Sequence, residues 1–115
     1  MPLSEFEVKS CERDIAKFME ARRPPPHIRE KLDFGYRIEN QSVVLFEIRP
    51  DWRDPNKTME SSISKATYVK SRKHWKIYWE RADLKWHSYE PYPVAETLSE
   101  FLRVVAEDKH ACFFG

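Results

Sequence analysis

Apolar and polar residues alternate with a period of two through Lys65–Glu90, which reads KATYVK, SRKH, WKIYWE, RAD, LKWHSYE. That is the period of a half-buried strand, not of a helix. The stretch holds three of the four Trp, three of the five Tyr and two of the four His. It predicts a three-stranded antiparallel meander over residues 65–90, with the rest of the chain as its cover. Pairing Lys70 with Trp75 sets Ala66 and Tyr68 on the face of Trp75, Ile77 and Trp79. A turn at Ala82-Asp83 pairs Trp79 with Trp86 on that same core face. The opposite face then carries Thr67, Val69, Lys76, Tyr78, Glu80, Lys85, His87 and Tyr89. In this register Glu80 faces Lys85, Tyr78 faces His87 and Lys76 faces Tyr89.

The flanking segments change period. Val8, Cys11, Ile15, Phe18 and Met19 recur at helical spacing. Ser4 and Glu7 have the spacing of a capping box, and Leu3 with Val8 that of a hydrophobic staple. Pro24-Pro25-Pro26 stops the helix, so it spans 5–22. A hairpin follows at 33–49. Phe34, Tyr36 and Ile38 share a face with Val44, Phe46 and Ile48 across a turn at residues 39–42, which sets Asp33 opposite Arg49. Residues 50–64 show no period and form a long loop tacked down by Trp52 and Ile63. Pro91-Tyr92-Pro93 ends the last strand. Thr97 and Glu100 begin a second helix, 97–108, striped by Leu98, Phe101, Leu102 and Val105. The apolar tail 109–115 docks on the core. The fold class is α+β: a five-stranded antiparallel sheet, hairpin plus meander, with both helices on its Trp-rich face.

Composition narrows the function classes. A chain of 115 residues suits one domain, and 41% hydrophobic with 14% aromatic residues is globular. The net charge of +1 creates no global field toward nucleic acid or membrane, so any such argument is local. The N-terminal stretch MPLSEFEVKS is acidic and has no apolar run, and no segment approaches a membrane span. Two cysteines, Cys11 and Cys112, are no disulfide framework and read as buried free thiols in a cytoplasmic protein.

The stretches ARRPPPHIREKLDFGYRI, QSVVLFEIRPDW, KATYVK, WKIYWERADLKWHSYEPYP and CFFG together resemble a bacterial family catalogued only as domain of unknown function 3024. The likeness runs nearly end to end, with RADLKWH and the closing CFFG its most specific parts. It implies a small stand-alone bacterial protein. It carries no activity, substrate or catalytic residue with it.

Function is therefore read from the residues. From Lys65 to His87 there are seven Lys or Arg and two acids. Lys76, Tyr78, Lys85, His87 and Tyr89 make an aromatic-basic face, and sheets of this kind stack bases on aromatics while cations track phosphates. Arg22, Arg23, Arg29 and Lys31 extend it if the connector folds nearby. The plain counterpart is a solvated face of cross-strand pairs such as Glu80–Lys85. The alternative is a metal-dependent phosphodiester hydrolase that uses Asp33, Glu47 and Arg49. There Arg49 stands where a lysine is wanted, and an arginine does not act as a base. Its plain counterpart is an Asp33–Arg49 ion pair. General acid–base work by His87 with Tyr78, Asp83 or Glu80 lacks an activated nucleophile. The Cys and His residues never fall at zinc-site spacing. The expectation is a binding module rather than an enzyme, with no metal or cofactor. Its partner is single-stranded nucleic acid or another anion, and a protein partner or homodimer through the tyrosine face is the remaining option.

Overall fold

Ser4 and Glu7 close the predicted capping box. The Glu7 amide donates to Ser4 Oγ at 3.2 Å, and the Ser4 amide donates to Glu7 Oε1 at 2.9 Å. This starts α1 (Glu5–Arg22), which ends at the proline run as the sequence requires. Six strands follow: β1 (Asp33–Glu39), β2 (Ser42–Pro50), β3 (Thr58–Val69), β4 (His74–Glu80), β5 (Trp86–Ser88) and β6 (Val94–Ala95), then α2 (Leu98–Glu107). The computed structural model describes residues 3–109 and 113. The strands lie in the order β1-β2-β3-β4-β5, all antiparallel, and the short β6 also pairs with β4. The α+β class and the five-stranded sheet are as expected. The sixth strand, after Pro93, was not legible in the sequence.

Both helices cover one face. Cys11 and Ile15 from α1, with Leu98, Phe101, Leu102 and Val105 from α2, bury against Val43, Leu45, Ala66, Trp75 and Ile77 of the sheet. Ile15, Phe101 and Ile77 are wholly buried, and each contributes about 1.5–3 kcal/mol through apolar surface removed from water. Thr97 Oγ1 accepts from the Glu100 amide at 3.1 Å, while the Glu100 carboxylate takes the Glu96 amide at 3.2 Å. The reciprocal half of this second cap is thus one residue displaced from the expected one. Phe113 docks as foreseen, 4.7 Å ring to ring from Tyr89. Residues 110–112, 114 and 115 of the expected tail, Cys112 among them, fall outside the described residues.

Three expectations about pairing change. In the β1–β2 hairpin Glu39 pairs with Ser42, so the turn is Asn40-Gln41, not four residues long. Asn40 takes φ 52°, a left-handed backbone that asparagine tolerates and a tight hairpin turn needs. The register slips by one, Phe34 faces Glu47, and Asp33 faces Ile48 instead of Arg49. A one-residue slip exchanges faces, so Val44, Phe46 and Ile48 lie opposite to Phe34, Tyr36 and Ile38. Because Val43, Val44, Leu45 and Phe46 are all buried, apolar pattern alone could not choose between registers.

The loop expected at 50–64 is only residues 51–57, since β3 begins at Thr58 and pairs with β2 back to Pro50. A bulge between Leu45 and Phe46, which leaves Ile63 as the extra residue, breaks the alternation that would have revealed this strand. In the meander, Tyr68 pairs with Trp75 and Ala66 with Ile77. That is two residues from the expected register, so every face there is preserved. The last turn is five residues, Arg81 to Lys85, with Leu84 at φ 62°. Trp79 therefore pairs with His87, and Glu80 with Trp86.

Gly35 sits opposite Phe46 on the uncovered face. A Cβ at Gly35 would lie 2.5 Å from Phe46 Cε2 and 2.8 Å from Cζ. The glycine is thus the floor on which the Phe46 ring rests. Gly35→Ala is expected to destabilise the fold by about 1–3 kcal/mol through overpacking, although alanine is otherwise the better strand residue. A urea unfolding midpoint equal to or above wild type would sink this account.

Candidate functional site

The uncovered face is built by one cross-strand row that crosses the whole sheet. Arg37 pairs with Val44, Val44 with Lys65, Lys65 with Tyr78 and Tyr78 with Ser88. Paired residues share a face, so all five project away from the helices. The next row brings Trp86, the partner of Glu80, onto the same side.

Lys65 is the centre of this surface. Its Nζ lies 5.1 Å from the ring centroid of Tyr78 and 5.1 Å from that of Trp86. An ammonium within about 6 Å of an aromatic face is attracted by the ring quadrupole, and here two rings flank one cation. Burial pulls the Lys65 ammonium below the ordinary lysine value, while the Glu39 carboxylate pushes back. Arg37 is held differently. Its guanidinium rests 4.6 Å from the Phe46 centroid, bonds Glu60, and reaches Glu39 at 3.6 Å. Arg37, Glu39, Ser42, Val44, Lys65 and Trp86 line a cleft of about 330 Å³. Beside it the Ser42 and Thr67 hydroxyls bond at 2.8 Å, and exposed Lys76 pairs with Thr67. Among the described residues, Lys65 and Lys76 form no salt bridge with a carboxylate.

Of the five residues expected on this face, Lys76 and Tyr78 are there. Lys85 lies in the turn before β5. His87 and Tyr89 are corrections: the slipped register sends them to the side of Trp79, and Tyr89 is only 2% exposed. Their places are taken by Lys65 and Trp86. Lys65 was readable, since it alternates with buried Ala66. Trp86 was not, because its face depends on a five-residue turn.

His87 Nε2 meets Asp83 Oδ2 at 2.8 Å, and Asp83 Oδ1 accepts the Lys85 amide at 3.0 Å. The His87 bond, then the Lys85 amide, holds the Asp83 carboxyl below its usual range. The pair therefore tethers the turn, while Tyr78 stands on the opposite face. The hydrolase set is not assembled. Asp33 and Glu47 belong to alternate positions of the β1–β2 ladder and so to opposite faces. Asp33 is clamped by Arg23, with both nitrogen–oxygen distances 2.8 Å, and this guanidinium keeps its carboxyl low. Glu47 is bonded by Arg49 on its own strand at 2.9 Å. The Asp33–Arg49 ion pair is thus replaced by two others, each with an arginine at a helix end or within one strand. Among the described residues no cluster of three His, Cys, Asp or Glu is placed to hold a metal ion.

The lowered Lys65 value has a sign for stability. The unfolded chain keeps this proton to higher pH, so stability rises with pH between the folded value and the ordinary 10.5. Below that interval the half-buried charge is a constant cost. Because Glu39 favours the charged form, Glu39→Gln is expected to lower the Lys65 midpoint further in an NMR titration of the lysine side chains. An unchanged or raised midpoint would show that Glu39 does not act on Lys65.

No helix among the described residues is long and apolar enough to cross a membrane. No curated protein and no solved structure matches the chain. One family model does, over residues 3–115, which is nearly the full length. The chain therefore belongs to the family described as Domain of unknown function (DUF3024).

Proposed function

We propose that the protein is a binding module for an anionic partner, single-stranded nucleic acid first, and that the uncovered sheet face is its binding surface. The observation that carries this reading is the Lys65 ammonium between the Tyr78 and Trp86 rings, beside a polar cleft and next to Lys76, which forms no salt bridge among the described residues. Such a surface offers what a single strand needs: ring faces for bases and cations for phosphates, on a rigid sheet. The flanking carboxylates Glu39 and Glu60 are engaged by Arg37 and so oppose an incoming phosphate less than free acids would. The half-desolvated Lys65 gains from a phosphate because it loses little further hydration on contact. A bacterial, cytoplasmic setting suits the family likeness and the free thiol of Cys11, which burial pushes up to about 11 and so keeps unreactive.

Fluorescence anisotropy with labelled single-stranded DNA and RNA at several salt concentrations tests this. Lys76→Ala is expected to reduce the slope of log affinity against log salt by about 0.7. Tyr78→Ala is expected to weaken binding by about 1–3 kcal/mol, the contribution of one stacked base. If both variants keep wild-type affinity and slope, the sheet face is not the binding surface.

A further inference from the structure

The β2–β3 hairpin continues two residue pairs past Asp33, the first residue of β1, as a short arm, and its tip is a second hydrogen-bonded surface. Asp51 donates its amide to the Lys57 carbonyl at 2.8 Å, and Lys57 donates to Asp54 at 2.9 Å. The Asp51 carboxylate accepts the Arg53 amide at 2.9 Å, and the Asp54 carboxylate accepts the Asn56 amide at 3.0 Å. On this tied turn Trp52 is 81% exposed, with the Arg53 guanidinium 5.1 Å from its ring centroid. The core does not need this tryptophan, and the turn is closed by backbone and aspartate bonds without it. Trp and Arg are the residue types that most often carry binding energy.

The tip repeats the chemistry of the sheet face. Each place pairs an aromatic ring with a cation, and Lys65, the cation of the sheet face, lies on β3, the strand that leads to the tip. Both tip aspartates turn an oxygen inward to a backbone amide, while Lys57 is exposed and in no salt bridge among the described residues. Lys65 and Thr58 are seven residues apart on β3, and at about 3.3 Å per residue, less the bulge, that is roughly 20 Å. A gap of this size is several nucleotides of extended strand, inside the range of about 4–16 nucleotides that single-strand sites occupy.

Resting on the proposed sheet site, we infer that Trp52 and Arg53 form a second stacking position, and that one strand runs from the Lys65–Trp86 cleft along the arm to reach it. The site then reads length as well as charge. A strand too short to span the arm touches the sheet alone, and a longer one adds the Trp52 contact.

The test uses labelled oligo(dT) of increasing length, from a dinucleotide to about ten residues, on the full chain at low salt. Wild type is expected to gain affinity by about tenfold once the strand spans the arm, and Trp52→Ala to lose that gain, with Trp52→Phe restoring part of it. Quenching of indole fluorescence by the long strand is expected in wild type and diminished in Trp52→Ala. If Trp52→Ala keeps the full length gain while Lys65→Ala weakens binding, the arm contact is overturned and the sheet site stands. If no oligonucleotide binds wild type, both fall. A mass in light scattering that grows with concentration and depends on Trp52, without oligonucleotide binding, would overturn it in favour of a second copy of the chain.

Discussion

Which face a side chain occupies in this protein is decided by two turns. Because strand side chains alternate, one residue more or less in a turn moves an entire strand's set from one side to the other. Asn40, in the left-handed region, closes a two-residue turn and turns Val44, Phe46 and Ile48 away from the helices. Leu84, at φ 62° and largely exposed, lets the Arg81–Lys85 loop close with the register shifted by one residue, and Trp86 changes sides. A branched residue at positive φ is strained. Here the strain is offset locally: Leu84 donates to the Arg81 carbonyl at 2.8 Å, and Asp83 takes the Lys85 amide while its other oxygen holds His87. The Asp83–His87 contact thus sets a register, and the register sets the surface.

That register leaves the sheet with two unlike sides. The covered side is a conventional apolar core, closed by Tyr89 and Phe113 at the β5 edge. The other side is neither bare nor fully wet. Val44 and Phe46 are buried there although no helix covers them, under a canopy that includes Arg37 and Lys65. Long cationic side chains can shield apolar surface in this way, stems packed and charged heads outward. The canopy is also what gives the face its chemistry, since each of these cations is fixed by an aromatic ring. Arg37 is neutralised by two glutamates, whereas among the described residues Lys65 is balanced by ring quadrupoles and the more distant Glu39. The difference makes Lys65 the cation with most to gain from an incoming anion.

The arm follows from the same ladder. β2 and β3 pair for two residues beyond Asp33, the first residue of β1, so Arg49 and Pro50 with Met59 and Thr58 form a short two-stranded extension that carries the 51–57 loop. An extension of that kind draws little stability from apolar burial, and its β3 residues Thr58 and Met59 are both exposed. Its order comes instead from backbone pairing and the aspartate-tied tip. Trp52 is thereby presented to solvent on a hydrogen-bonded turn.

Much was legible from residue order alone. Local chemistry within a few residues determined both helices, the Ser4–Glu7 cap, the proline stop, the α+β class and the alternation of β4. The core residues on the helix stripes and on Trp75 and Ile77 follow from periodicity for the same reason. What only the tertiary structure decided is which partner each strand meets, and in what register. Phe46 and Trp86 suit either face by composition, the bulge at Ile63 hides β3, and Asp33 had two arginines to choose from and took Arg23 rather than Arg49. A register difference of one residue settles such choices, and it leaves no trace in hydrophobic pattern where residues on both faces are apolar.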